Sequence, residues 1–222
     1  MSSRPPHGTV RPGGRTSRTR TAVLDAASAI LEEGGYSALT MRALTDRSGV
    51  HVSTIRRRWH TVEAVVAEVL KEMSETLPVP DTGDLRSDLR ELALAIAGFH
   101  ADAGNRNLIE GMVAAAVHDE PAAEVLRDSF LGWTGQATEI VHRAVARGQV
   151  PPDTDATEVI DSLSAAFCYR LMVMRRPIDA RLTETSAEAA YWSAASGAFG
   201  RSDAFGRSGA FSREAAQEPG RS

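Results

Sequence analysis

One cysteine, Cys168, stands in 222 residues. That excludes an internal disulfide and any cysteine-based zinc cluster. Its setting in the apolar run SLSAAFCYRLMVM reads as that of a buried small hydrophobe. Long apolar runs are missing too: none approaches the ~18–20 residues of a membrane span. The opening MSSRPPHGTVRPGGRTSRTR has no apolar middle such as a secretory signal carries, so the chain reads as cytoplasmic, with no membrane partner. Lysine occurs once, at Lys71, among 25 cations; with the abundant Ala and Gly this follows GC-rich coding and carries no functional meaning. No Ser/His/Asp set, phosphate-binding glycine loop, paired Glu-x-x-His or metal spacing among the six histidines appears. Catalytic residues, a metal site and a cofactor are therefore not expected.

What is present is an asymmetry of charge. The formal net charge is −4, but residues 1–60 carry a net +6 and residues 61–222 a net −10. A basic head on an acidic body points one end of the molecule at a polyanion.

Residues 1–17 are rich in Pro, Gly, Ser, Thr and Arg, without apolar period, and predict a disordered basic arm. From Arg18, Val23, Ala26, Ala27, Ile30 and Leu31 recur at helical spacing until Gly34-Gly35. Thr40 is suited to cap a short helix over Met41–Arg47, Ser48-Gly49 makes a turn, and a third helix covers Val52–Trp59. Thr61 opens a fourth helix that reaches Glu75, and Pro78 and Pro80 mark a boundary. Helices follow over Asp84–Ala103 (closed by Gly104), Asn105–His118, Pro121–Arg147, Asp155–Met174 and Thr183–Ala198. No alternating strand pattern occurs. The tail repeats a six-residue unit from Ala198, Ala204 and Ala210, read either as a sticky peptide or as a disordered end.

Two short helices joined by a Gly-containing turn, supported by a hydrophobic first helix, have the geometry of a helix-turn-helix. Its second helix lies in the major groove of double-stranded DNA with its N-terminal residues at base edges. Here that helix begins His51-Val52-Ser53-Thr54, small groups suited to base edges and the thymine methyl, and continues Arg56-Arg57-Arg58, suited to phosphates. Thr40 and Arg42 open the preceding helix toward the backbone. Arg18 and Arg20 near the arm, and His60 after the recognition helix, complete the candidate set. Five arginines and no acid precede Asp25, which suits the arm to a minor groove.

The stretch AASAILEEGGYSALTMRALTDRSGVHVSTIRRRWHTVEAVVAEVL resembles the DNA-binding domain of the TetR family of bacterial regulators. Thr40 with Leu44, Ser48-Gly49-Val50, Ile55, Trp59 and the helix opening at Thr61 follow the family's order. Arg56 stands where the family usually has Tyr, Trp59 where it has Phe, and Val62 where it has a Lys that touches a phosphate. The resemblance implies an all-α fold: a helix-turn-helix domain (18–77), then a helical ligand-binding and dimerisation domain (78–199), with a tail from 200. The helical segments number about nine. It further implies a ligand-responsive repressor, binding a palindromic operator as a homodimer and answering to a small-molecule effector. An activator or DNA-organising module without a ligand is the alternative.

The resemblance implies dimerisation through the last two helices. Ile160, Leu163, Phe167, Leu171 and Met174 form one stripe, flanked by Val159, Ala166 and Val173; Tyr191 and Trp192 add the last helix's share. The stripe reads as a dimer seam, the rival being a helix central to one monomer. Candidate pocket residues are Leu92, Ile96, Phe99, His100, Ile109, Met112, Val113, Phe130, Trp133 and His142, a mostly apolar wall with few polar groups. The same residues equally describe a helical core.

Overall fold

The computed structural model describes residues 14–200. Among them are nine α-helices and no named strand; one isolated antiparallel bridge joins Thr154 to Gly200. The helices are α1 (Gly14–Gly34), α2 (Met41–Ser48), α3 (Val52–Trp59), α4 (Val62–Ser74), α5 (Leu85–Ala101), α6 (Ala103–Ala116), α7 (Glu120–Ala146), α8 (Ala156–Cys168) and α9 (Ala180–Ala195). A 3-10 turn (Tyr36–Ala38) precedes α2, and a π-helical segment (Tyr169–Val173) extends α8.

Local chemistry sets most helix ends. Thr40, Thr61, Asp84, Asp102, Asp155 and Asp179 each accept a backbone N–H of the following first turn, satisfying a donor that the helix itself leaves free. Proline occupies the first turn of α7, where its missing N–H is harmless. Gly49 ends α2 at φ 67°, a left-handed backbone that glycine adopts at little cost.

Several boundaries differ from the sequence expectation. α1 begins at Gly14, so residues 14–17, expected in the arm, are helical. Asp102, at ψ 129°, breaks the chain between α5 and α6, so Gly104 lies inside α6 rather than closing α5. There the missing side chain lets α6 approach α1: a Cβ on Gly104 would stand 2.9 Å from Glu32 Cγ. α9 starts at Ala180 because Asp179 caps it, and α8 changes to π geometry at Tyr169 instead of running unbroken to Met174. The arm at 1–13 and the repeat beyond Gly200 lie outside the described residues.

Two cores organise the molecule. One joins α1–α4 through Val23, Leu31, Leu44, Ile55, Val65 and Val69, and also takes in Leu108, Ile109 and Met112 of α6. The other joins α5, α7, α8 and α9 around Leu89, Leu92, Ile140, Ile160, Leu163 and Phe167. Fully burying each such side chain stabilises the fold by about 1.5–3 kcal/mol. The N-terminal unit is thus fused to its neighbour by α6 rather than hung from it.

The connection between α4 and α5 is pinned as well. Arg143 donates to the Pro80 carbonyl at 2.5 Å, Arg147 pairs with Asp81 at 2.5 Å, and the Gln149 side chain accepts from Leu85 N at 3.1 Å.

Candidate nucleic-acid interface and internal cleft

On α3, Ile55 and Trp59 lie four residues apart on one face and are buried at 0% and 4% exposure. That fixes the opposite face outward: His51, Ser53, Arg56, Arg57, Arg58 and His60 are exposed, with Val52 and Thr54 half-buried. At the helix start His51 Nδ1 accepts from Ser53 N at 3.3 Å and sits 2.8 Å from Ser53 Oγ, so the imidazole and hydroxyl are held together where base edges would come. His60 leaves the helix at φ 60°. On α2, Thr40 Oγ1 accepts from Ala43 N at 3.0 Å. Arg42 is 92% exposed beside Asp46 at 3.6 Å, a weak surface pair that leaves the guanidinium available.

The cations fall into two classes. Arg56 and Arg57 pair with no acid among the described residues. Arg20, by contrast, is committed inward: its Nε lies 2.5 Å from Glu68 and an Nη 2.5 Å from Glu72, both on α4. Arg20 therefore joins α1 to α4 in this structure and is not presented to a ligand. Arg58 is intermediate, 3.7 Å from Glu68 and 5.1 Å from the Trp59 ring centroid. Arg18 is exposed on α1.

Glu68 emerges as a residue that sequence reasoning missed. It accepts from the indole N–H of Trp59 as well as from Arg20. Burial pushes its carboxyl up, but the hydrogen bonds from Trp59 and Arg20 outweigh that and hold it below the usual carboxylate range. One side chain of α4 thus ties α1 and α3 together. Arg47 and Glu33 form a second tie, a two-pronged pair at 2.6 Å between α2 and α1.

Below the helix-turn-helix lies a half-open apolar cleft. α4 contributes Leu70, Met73 and Ser74, and the connection after it Leu77; α5 contributes Ile96, Phe99 and His100; α6 contributes Ile109. Leu126, Ser129, Phe130 and Trp133 of α7 and Ser164, Phe167 and Cys168 of α8 close it. Six of the ten candidates, Ile96, Phe99, His100, Ile109, Phe130 and Trp133, line this space. The other four do not. Leu92 is sealed in the C-terminal core and Met112 in the N-terminal one, with Val113 packed against it. His142 is exposed, 3.8 Å from Glu139. Cys168 borders the cleft, half-buried, and burial pushes its thiol up.

The stripe expected at a dimer seam divides in the same way. Val159, Leu163, Phe167 and Leu171 are at most 4% exposed within one protomer, because α8 packs between α7 and α9. They form the monomer's core and cannot be a seam. Met174 and Trp192 are exposed at 45% and 59%, while Tyr191 is half-buried with the Arg86 guanidinium 5.7 Å from its ring.

Residues 23–69 match the family model of the bacterial regulatory proteins of the tetR family, and residues 79–190 match a tetracyclin repressor-like C-terminal domain. The chain belongs to the TetR family. It is 31% identical over 163 residues to the HTH-type transcriptional regulator AqdR of Rhodococcus erythropolis, covering 72% of this chain and 77% of that protein. It is 30% identical over 169 residues to the DNA-binding transcriptional repressor TetR of Mycobacteroides abscessus, covering 72% and 86%. Among solved structures, the TetR family transcription regulator SCO0332 superposes with a TM-score of 0.66 at 26% identity, over 78% of this chain and 97% of that one. This TetR protein is accordingly a DNA-binding transcriptional regulator, with an N-terminal helix-turn-helix and a helical C-terminal domain. Among the described residues no helix is long and apolar enough to cross a membrane.

Proposed function

We propose that this TetR regulator is a cytoplasmic homodimeric repressor that occupies a near-palindromic operator and releases it when a small molecule fills the cleft. The observation that carries this is the double duty of α4. Its first half holds Trp59 and Arg20 through Glu68, and its second half supplies Leu70, Met73 and Ser74 to the cleft wall. A ligand that displaces the second half moves the anchor of the recognition helix.

His51, Val52, Ser53 and Thr54 would read base edges, and Arg56, Arg57, Arg58, Arg42, Thr40, Arg18 and His60 would contact the backbone. The exposed faces of α8 with its π-helical extension and of α9, with Ala165, Tyr169, Ala189 and Trp192, supply a second copy's contact; the two alanines permit close helix approach. Two recognition helices then sit about 34–36 Å apart, one duplex turn. The ligand acts only by its difference in affinity for the two states, typically ~1–3 kcal/mol.

The test is recovery of genomic fragments bound by the purified protein at physiological salt, followed by sequencing. An enriched inverted repeat supports the reading, and uniform recovery of fragments refutes it.

A further inference from the structure

The walls of the cleft restrict what can fill it. Four hydrophobic aromatic residues border it, Phe99, Phe130, Trp133 and Phe167, and no Asp, Glu, Lys or Arg does. An ion entering would lose its hydration with no opposite charge to replace it, which is strongly unfavourable. Flat aromatic surface is what such a wall holds best.

His100 and three serines, Ser74, Ser129 and Ser164, interrupt the apolar lining. The ring of His100 forms part of the wall, and its Nδ1 is sealed from solvent without a hydrogen-bond partner. Burial first, and then the positive Arg106, push its imidazolium below the usual range, so the ring is neutral near pH 7. A neutral imidazole has one donor and one acceptor nitrogen. A hydroxyl can both donate and accept, so it can pair with an imidazole nitrogen in either tautomer. Ser129 and Ser164 commit their hydroxyl protons to the carbonyls of Val125 and Ile160 at 2.7 and 2.9 Å. What they keep is lone pairs, which again favour a donating ligand.

We infer that the effector, on the reading that this cleft is the effector site, is an uncharged flat aromatic molecule bearing a hydroxyl that pairs with His100. A carboxylate or ammonium on the same ring system is rejected.

Three probes of one ring size test this: 2-naphthol, naphthalene and 2-naphthoate, titrated into the full-length protein by calorimetry at pH 7.5. Naphthol is expected to bind about tenfold tighter than naphthalene, the worth of one hydrogen bond in a dry site, and naphthoate more weakly than either. His100→Phe keeps the ring and removes both nitrogens, and should equalise naphthol and naphthalene. His100→Gln restores a donor and an acceptor, and should restore part of the preference; it also serves if the Phe variant fails to fold. Tightest binding of naphthoate, or an undiminished preference for naphthol in folded His100→Phe, overturns the inference and leaves the effector site standing. Binding of none of the three removes the effector site as well.

Discussion

Trp59, the last residue of α3, donates its indole N–H to Glu68 of α4, and the same carboxylate accepts from Arg20 of α1. A buried indole, a half-buried carboxylate and a guanidinium make a polar joint between three helices, set on the rim of the first core. Removing the carboxylate leaves the indole N–H with no acceptor, Arg58 without its acidic neighbour and Arg20 with Glu72 alone. Glu68→Ala should destabilise the protein by about 1–3 kcal/mol, the usual cost of a stranded buried donor. Glu68→Gln keeps an acceptor oxygen for Trp59 and should lose less. Thermal melts of both variants at pH 7 check the order. Equal melting for wild type and Glu68→Ala would show that the joint is idle.

The same residue predicts a pH dependence. The folded state holds Glu68 below its ordinary value of 4.5. Its contribution is therefore fully present above about that pH and is lost as the pH falls through the lower folded value. Wild type should lose stability between pH 5 and pH 3 more steeply than Glu68→Gln, which has no proton to take up there. Parallel curves in urea melts across that range would contradict the assignment.

How much of this could be read in the sequence depended on whether the cause was local. Thr40, Gly49 and Thr61 sit within a few residues of the groups they satisfy, so α2, α3 and the start of α4 were legible. Apolar periodicity also told which face of each helix turns inward. It could not tell which interior: Leu92 and Met112 are equally apolar, yet one belongs to each core and neither to the cleft. Val159 and Leu163 likewise showed a helix covered on several sides, without telling α9 of the same chain from a partner. Glu68 was illegible because its partners lie 9 and 48 residues away, a distance that only the tertiary fold closes.

The two classes of arginine separate under salt. Arg57 is exposed on the outer face of α3 and bound to no acid, whereas Arg20 is held by Glu68 and Glu72. Arg57→Ala should weaken DNA binding about equally for specific and random duplexes and lower the salt slope by about one unit. Arg20→Ala should lower the melting temperature and leave that slope unchanged. Titrations of a labelled duplex at several salt concentrations measure both, and a slope change for Arg20→Ala alone would reverse the assignment.

Gly49 isolates the turn itself. Its φ is 67°, and a Cβ added there would meet nothing within 4 Å, so a substitution acts through the backbone and not through a clash. Gly49→Ala should cost roughly 1–2 kcal/mol, the penalty of a side chain in left-handed geometry. Gly49→Asn, which tolerates that region better, should cost less. Chemical denaturation of the two variants decides between a turn that governs the spacing of α2 and α3 and one that merely joins them.

The outward surface of α8 and α9 carries the proposed assembly, and its small residues make it testable without touching the core. Ala165 and Ala189 are exposed, while their neighbours Leu163 and Ala190 are buried within the protomer. An arginine at either site has open solvent in a monomer and a facing helix in a dimer. Ala189→Arg should therefore leave the far-ultraviolet circular dichroism and the monomer's melt intact, shift the mass in light scattering from two chains to one, and weaken binding to a two-half-site operator by at least tenfold. The last effect follows because each half-site alone gives one recognition helix and half the phosphate contacts. A variant that stays at twice the chain mass would move the assembly surface away from α9, toward the exposed Val117 and Leu131.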